Sequence, residues 1–204
     1  MRRFFWTAFI VAAVLVLASA AVLECAQARV VRSQRVSAVT LYGEVNDKSA
    51  SHVVAAIHAA NAVRTNNPIL LFINSGGGDV LAGGRIIDAI TASRRPVYTV
   101  NVSLAASMAA IIFSYGQKRY CLPHAIVMFH DASMAWEGDA DKLTSRIAIF
   151  NALMQSYNEH LATELGLSVE QIDAREHVEW WISPAECVDS HLCTAVISIG
   201  DYPA

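Results

Sequence analysis

Between Ile69 and Asp131 the chain carries a glycine-rich turn, a serine flanked by small residues and a histidine closing an apolar run, in that order. Acyl transfer by serine requires such parts: a hydroxyl nucleophile, a base to take its proton, an acid to orient the base, and amide donors for the oxyanion. The serine is Ser107, within Leu104-Ala105-Ala106-Ser107-Met108-Ala109-Ala110, and the histidine is His130, after Ala125-Ile126-Val127-Met128-Phe129. The turn is Asn74-Ser75-Gly76-Gly77-Gly78, whose amides can point at one spot with no side chains in the way. If Ser107 opens a helix, the Met108 amide lies where unpaired N–H groups and the helix dipole favour negative charge. Gly78 or Gly77 then supplies the second donor. Each element alone has a plainer reading: a tight turn, helix packing, a structural histidine. Their joint occurrence points to a serine hydrolase. The α/β-hydrolase plan does not fit, because its glycine elbow is absent and its acid precedes its histidine.

The segments around these residues alternate between strand and helix patterns, which predicts an α/β domain with a largely parallel sheet. Val36 to Tyr42 reads as a strand, and Ala50 to Arg64 as a helix with Val53, Val54, Ile57 and Ala60 on one face, broken by Asn66-Asn67-Pro68. The strand Ile69 to Ile73 leads through the turn into a helix over Ala82 to Ser93, and Arg95-Pro96 precedes a strand over Val97 to Val102. A helix is expected over Ala105 to Phe113, with Ser107 at its opening, followed by strands over Lys118 to Leu122 and Ala125 to His130. One helix separates the strand at Ile69 from the strand at Val97, so the two can lie side by side and bring the turn to Ser107. A long helix over Ala140 to Leu165 carries Leu143, Ile147, Phe150, Met154, Tyr157 and Leu161, a seam for another helix in the same chain or in a second copy. Ser183-Pro184-Ala185-Glu186 is a capping box with proline at the first helical position, so a helix begins there.

A net charge of -3 and a pI near 6.1 give no electrostatic case for nucleic acid. Hydrophobic residues at 54% against charged residues at 16% are high for a soluble domain, and part of the excess lies in the first 28 residues. These read as a signal peptide or membrane anchor: Arg2-Arg3, then the apolar run Phe4 to Leu23, then Ala26-Gln27-Ala28 ahead of a cleavage before Arg29. The tripeptide favours export of the body, whereas the length of the apolar run also suits a bilayer span. Arginines on both sides leave the orientation open. Residues 36–204 carry no repeat, low-complexity tract or linker and read as one domain. Cys25 would leave with the leader, and the odd remainder of Cys121, Cys187 and Cys193 argues against a full disulfide framework. Cys187 and Cys193 can bridge in an oxidising compartment or stay as buried thiols. With His191 they lack zinc-ligand spacing, so neither metal nor cofactor is expected.

The sequence resembles the Clp protease proteolytic subunit family, ClpP. The resemblance rests on Phe72-Ile73-Asn74-Ser75-Gly76-Gly77-Gly78, Ala105-Ala106-Ser107-Met108, Cys121-Leu122-Pro123, Val127-Met128-Phe129-His130, and Glu170-Gln171-Ile172 followed by Ser183-Pro184-Ala185-Glu186. It spans about Val39 to Ile199 and implies the ClpP/crotonase type of α/β fold, a repeated ββα spiral with a projecting long handle helix. It implies Ser107 as nucleophile, His130 as general base, and the Gly78 and Met108 amides as the oxyanion hole. The family's orienting aspartate falls four residues before the serine matching Ser183, where this chain has Glu179, with Asp173 and Glu176 as fallbacks. Gly76 stands where the family usually has proline, and Ala109 replaces a glycine. The handle resemblance covers the helix from Ala140 and the preceding Met134 to Gly138, and turns the seam toward homo-oligomer assembly. Cytosolic members carry an N-terminal extension that contacts an unfoldase. Here the segment before Val39 is short and follows a leader, which speaks against an ATP-driven partner.

The expected activity is therefore a serine endopeptidase acting on peptides or unfolded proteins, exported or membrane-anchored. Three rivals follow from the same residues. A scaffold would keep the fold with a weakened triad, and an acyl-CoA enzyme of the crotonase type would use glycine amides without a Ser–His pair. A Ser–Lys enzyme would draw its base from Lys48, Lys118 or Lys142, none of which sits in a catalytic motif. His124 and His177 read as solvated or structural.

Overall fold

The computed structural model describes residues 37–132, 137 and 139–202. The expected leader, and residues 133–136 and 138 ahead of the long helix, lie outside these. Seven strands form one sheet: β1 (Ser37–Tyr42), β2 (Ile69–Ser75), β3 (Val97–Ala106), β4 (Lys118–Cys121), β5 (Ile126–Phe129), β6 (Trp180–Ile182) and β7 (Ala195–Val196). The main path runs β1-β2-β3-β4-β7 in parallel; β5 also pairs parallel with β3, and β6 pairs antiparallel with β5. The helices are α1 (Asp47–Ala62), α2 (Val80–Thr91), α3 (Met108–Ser114), α4 (Ala140–Leu165), α5 (Val169–Glu176) and α6 (Pro184–Asp189). This is the α/β fold with a largely parallel sheet that the alternating pattern predicts.

The central strands are nearly continuous apolar runs because helices cover them. Ile69, Leu70, Leu71 and Ile73 of β2 are buried together with Val53 and Ile57 of α1 and Ile86 and Ile90 of α2. Local chemistry sets the helix starts. Asn46 caps α1 by accepting from the Lys48 and Ser49 amides, Asp79 caps α2 by accepting from Ala82, and Ser183 caps α6 in a reciprocal box with Glu186. At the opposite end of the sheet, buried Arg95 donates from Nε to Asn67 O and from Nη1 to Ala60 O and Ser37 Oγ. It thereby fixes the entry to β1, β2 and β3.

Strand β3 does the most to position the site. It runs to Ala106, four residues beyond its expected end, because it changes partner: residues 98–101 pair with β4 and residues 104–106 with β5. Buried Asn101 spans the change, donating from Nδ2 to Ile126 O at 2.8 Å while its Oδ1 accepts from the Ser103 amide. The helix expected from Ala105 accordingly begins at Met108. Pairing with β5 overrides the helical preference of the two alanines.

Helix α4 follows the predicted bounds and ends on a left-handed Gly166. Its seam is split. Tyr157 and Leu161 are buried against the body, Leu143, Phe150 and Met154 are half-buried, and Ile147 is 50% exposed.

Candidate active site

The glycine turn meets the serine where β2 and β3 end side by side, with Ser75 in register with Ala105. One residue past Ala106 the chain turns sharply. Ser107 caps α3 with φ 54 and ψ -128, a left-handed conformation that costs a non-glycine residue energy unless its surroundings hold it. Its amide donates to Met128 O at 2.8 Å, and its Oγ makes no capping bond. The corner thus presents a hydroxyl at the strand end with no competing local partner.

The turn is clamped from the other side. Val45 N–H donates to Gly77 O at 2.8 Å, Asp79 N–H donates to Val45 O at 2.8 Å, and Gly77 N–H donates to Ser75 Oγ at 3.1 Å. Gly77 has φ +91 and lies so close to the corner that an added Cβ would come 2.7 Å from Ser107 Cβ and 3.0 Å from Met108 N. Gly78, at φ +143, leaves no space for a Cβ beside Val45 O. Among the described residues neither the Gly78 amide nor the Met108 amide has a protein acceptor. One of these donors directly follows Ser107, and the other directly follows the glycine that packs against it.

His130 follows β5, whose Met128 pairs with Ala106, so histidine and serine leave adjacent parallel strands at the same end. Such strands lie about 4.8 Å apart. Both residues are half-buried, and the His130 ring makes no hydrogen bond to another described residue. The acid is placed otherwise. Glu179 is exposed, sits at φ 58, and its carboxylate accepts from Trp181 Nε1 at 3.2 Å. The structure brings together Ser107, Gly77, Gly78 and Met108, with His130 on the neighbouring strand, and does not join the Glu179 carboxylate to the His130 ring.

The remaining candidates have other roles. His177 is exposed, with Nδ1 2.9 Å from Asp131 Oδ2, and His124 is exposed in the turn before β5. Lys118 lies over the Tyr98 ring at the far end of β3, Lys142 pairs with Asp139, and Lys48 is exposed on the first turn of α1. Asp173 and Glu176 meet at Asn158, whose Nδ2 donates to Asp173 Oδ1 at 2.8 Å and to Glu176 Oε2 at 3.0 Å. The Glu176 carbonyl also accepts the Asp131 amide, so this cluster anchors the segment just past His130. The Ser168–Gln171 capping box that starts α5 was a readable sign of this element.

Glu176 is only 4% exposed, and burial, with Asp131 and Asp173 nearby, pushes its carboxyl from 4.5 up to about 7. Below the unfolded value both states hold the proton and burial of Glu176 adds no charge. As pH rises from about 4.5 to about 7 the unfolded state releases its proton while the folded state keeps it, so stability falls by roughly 3 kcal/mol in all and levels off above about 7. Asn158 Oδ1 is buried with no donor among the described residues. Glu176→Gln, which stays neutral at every pH, is expected to raise stability at pH 8 by about 2 kcal/mol and to change little at pH 4. Urea titrations of both proteins at the two pH values check this.

The sheet is thus a largely parallel α/β sheet whose central strand leads into Ser107 at a positive φ, against a glycine turn, with His130 following the neighbouring strand. The family model described as Clp protease matches residues 24–199. The chain is 34% identical over 157 residues to the ATP-dependent Clp protease proteolytic subunit 2 of Nocardia farcinica, an alignment covering 76% of this chain and 77% of that protein. It is 32% identical over 167 residues to the protein of the same description from Corynebacterium glutamicum, covering 81% and 83%. The chain belongs to the Clp protease family.

Proposed function

We propose that the chain is a ClpP-like serine endopeptidase that cleaves short peptides or unfolded proteins through an acyl-enzyme, outside the cytoplasm or at the membrane and without ATP. The observation that carries this reading is the Ser107 corner, held against Gly77, with the adjoining amides of Gly78 and Met108 lacking an acceptor among the described residues. The Ser107 hydroxyl attacks the scissile carbonyl as His130 takes its proton, and the resulting oxyanion is received by the two amides. His130 then protonates the departing amine and later draws a proton from the water that releases the acyl group.

Glu179 serves as the orienting acid once its carboxylate leaves Trp181. Trp181→Phe removes the competing donor and is expected to raise kcat/KM by about threefold, the worth of one exposed hydrogen bond. Glu179→Gln in the same background should cancel that gain. Steady-state kinetics on the single and double variants check this prediction.

Export is supported by the apolar leader and by the Cys187–Cys193 disulfide, a bond that persists in oxidising compartments. Homo-oligomer formation is supported by α4, whose first half leaves Ile147 and Ile149 50% and 72% exposed. The curated relatives are ATP-dependent by description, so the decisive comparison is hydrolysis of a fluorogenic peptide and of unfolded casein with and without ATP. Equal rates support the reading, and turnover only with ATP and an added unfoldase contradicts it.

A scaffold without hydrolytic activity is the second reading, favoured by the Glu179 carboxylate lying on Trp181. It predicts assembly with no turnover of either substrate. Acyl-CoA turnover indifferent to Ser107→Ala would instead support a crotonase-type enzyme.

A further inference from the structure

Three sulfurs meet in the core, away from the serine. Cys121 ends β4, Cys187 lies in α6 and Cys193 precedes β7. Cys187 and Cys193 are disulfide-bonded, and the free Cys121 Sγ is 3.0 Å from Cys193 Sγ and 3.8 Å from Cys187 Sγ. All three side chains are buried, at 0 to 4% exposure. Sequence spacing concealed the cluster because Cys121 stands 66 residues before Cys187.

Hydrogen bonds as well as the disulfide hold the backbone around these sulfurs. Cys193 N–H donates to Cys187 O at 2.7 Å, Thr194 N–H to Arg119 O at 2.6 Å, and Ile197 N–H to Cys121 O at 3.0 Å. Arg119 further holds the loop by donating from Nε to Leu192 O and from Nη2 to His191 O. Reduction of the disulfide thus leaves three thiols gathered in one place, and repulsion moves the two freed sulfurs apart, toward the spacing of ligands around a single ion.

We propose that the reduced Cys121, Cys187 and Cys193 form a three-sulfur site for a monovalent thiophilic ion of the Cu(I) class, mutually exclusive with the disulfide. Soft thiolates select Cu(I) or zinc, and structural zinc takes four ligands. Among the described residues no histidine or carboxylate joins the three cysteines, all of which are buried away from solvent. A d10 monovalent ion accepts three-coordination. Burial pushes the Cys121 thiol up to about 12, so the metal must displace or share a proton that solvent alone would not remove. Entry to the site from the oxidised state takes two electrons. A trialkylphosphine supplies them with water, leaving as the phosphine oxide and converting the disulfide to two thiols.

The test uses the full chain. Protein reduced with the phosphine and desalted without oxygen is titrated with Cu(I) delivered from its bathocuproine disulfonate complex. The proposal predicts uptake of a single equivalent, ultraviolet sulfur-to-copper charge transfer, an all-sulfur shell by X-ray absorption, and a raised melting temperature. Oxidised wild type, which needs no substitution, should take up none of it. Cys121→Ala should lose most of the bound copper and show a two-sulfur shell. Equal uptake by oxidised and reduced protein, no uptake by reduced protein, or a preference for zinc with a fourth ligand would each overturn the proposal. None of these readouts depends on peptide hydrolysis.

Discussion

Ser107→Ala and His130→Ala are each expected to lower kcat/KM on a peptide substrate by about 10⁴-fold, with the double variant losing little more than either alone. Nucleophile and base act in one step, so removing either leaves the other nothing to do. The structure supports an effect of this size because the corner at Ser107 is already formed: the strained φ is held by the hydrogen bond its N–H donates to Met128 O and by the close approach of Gly77. Neither substitution removes a buried packing group. Ser107 Oγ makes no capping bond and the His130 ring no hydrogen bond to another described residue, so both variants should melt near the wild type. The check is steady-state kinetics on the four proteins of the cycle with thermal unfolding beside it. Losses that multiply would mean that the two residues act independently.

Gly77→Ala should be nearly as damaging by a different route. A methyl group at this position would press on Ala106 O at 2.7 Å, on Ser107 Cβ at 2.7 Å and on Met108 N at 3.0 Å, in a backbone conformation that disfavours any side chain. Relief requires the turn and the corner to part. That separates the Gly78 donor from the Met108 donor and tilts the nucleophile. Loss of one oxyanion donor costs about 10² to 10³ in kcat, and misplacing the serine adds to it, so an overall loss of about 10³-fold is expected. The effect should fall on kcat more than on KM, because the donors act on the charge that develops in the transition state. Gly76→Ala is the matched control, since a Cβ there meets nothing within 4 Å, and it should leave turnover within a few-fold of wild type.

The sequence was most readable where structure is local. The long helix matched both expected ends, and the Ser183 box opened α6 as read, since caps and apolar period are written in neighbouring residues. Strands β6 and β7 are three and two residues long and exist only through their partners, so no periodicity announces them. Long-range pairing also explains the misplaced start of α3: Ala105 and Ala106 favour helix, yet β5 claims them for the sheet. The left-handed turn at Ser107 follows from that claim, because the chain must leave the strand and enter a helix within one residue. At the site, residue types and order singled out a serine, a histidine and a glycine turn as candidates, and the sheet brings the segments that carry them to neighbouring strand ends. They could not tell where a carboxylate points, and Glu179, placed by resemblance alone, has its carboxylate on Trp181. The sulfur cluster was hidden for the same reason, its members meeting only through the pairing of β4 with β7.

Covalent labelling tests the central claim most directly. A fluorophosphonate reacts with a serine only when a base takes its proton and donors receive the phosphoryl oxygen. Incubation of the purified protein with such a probe, followed by mass mapping, should yield one adduct on Ser107 that is absent from Ser107→Ala and formed far more slowly in His130→Ala. Equal labelling of wild type and Ser107→Ala, or labelling of His130→Ala at the wild-type rate, would contradict the account.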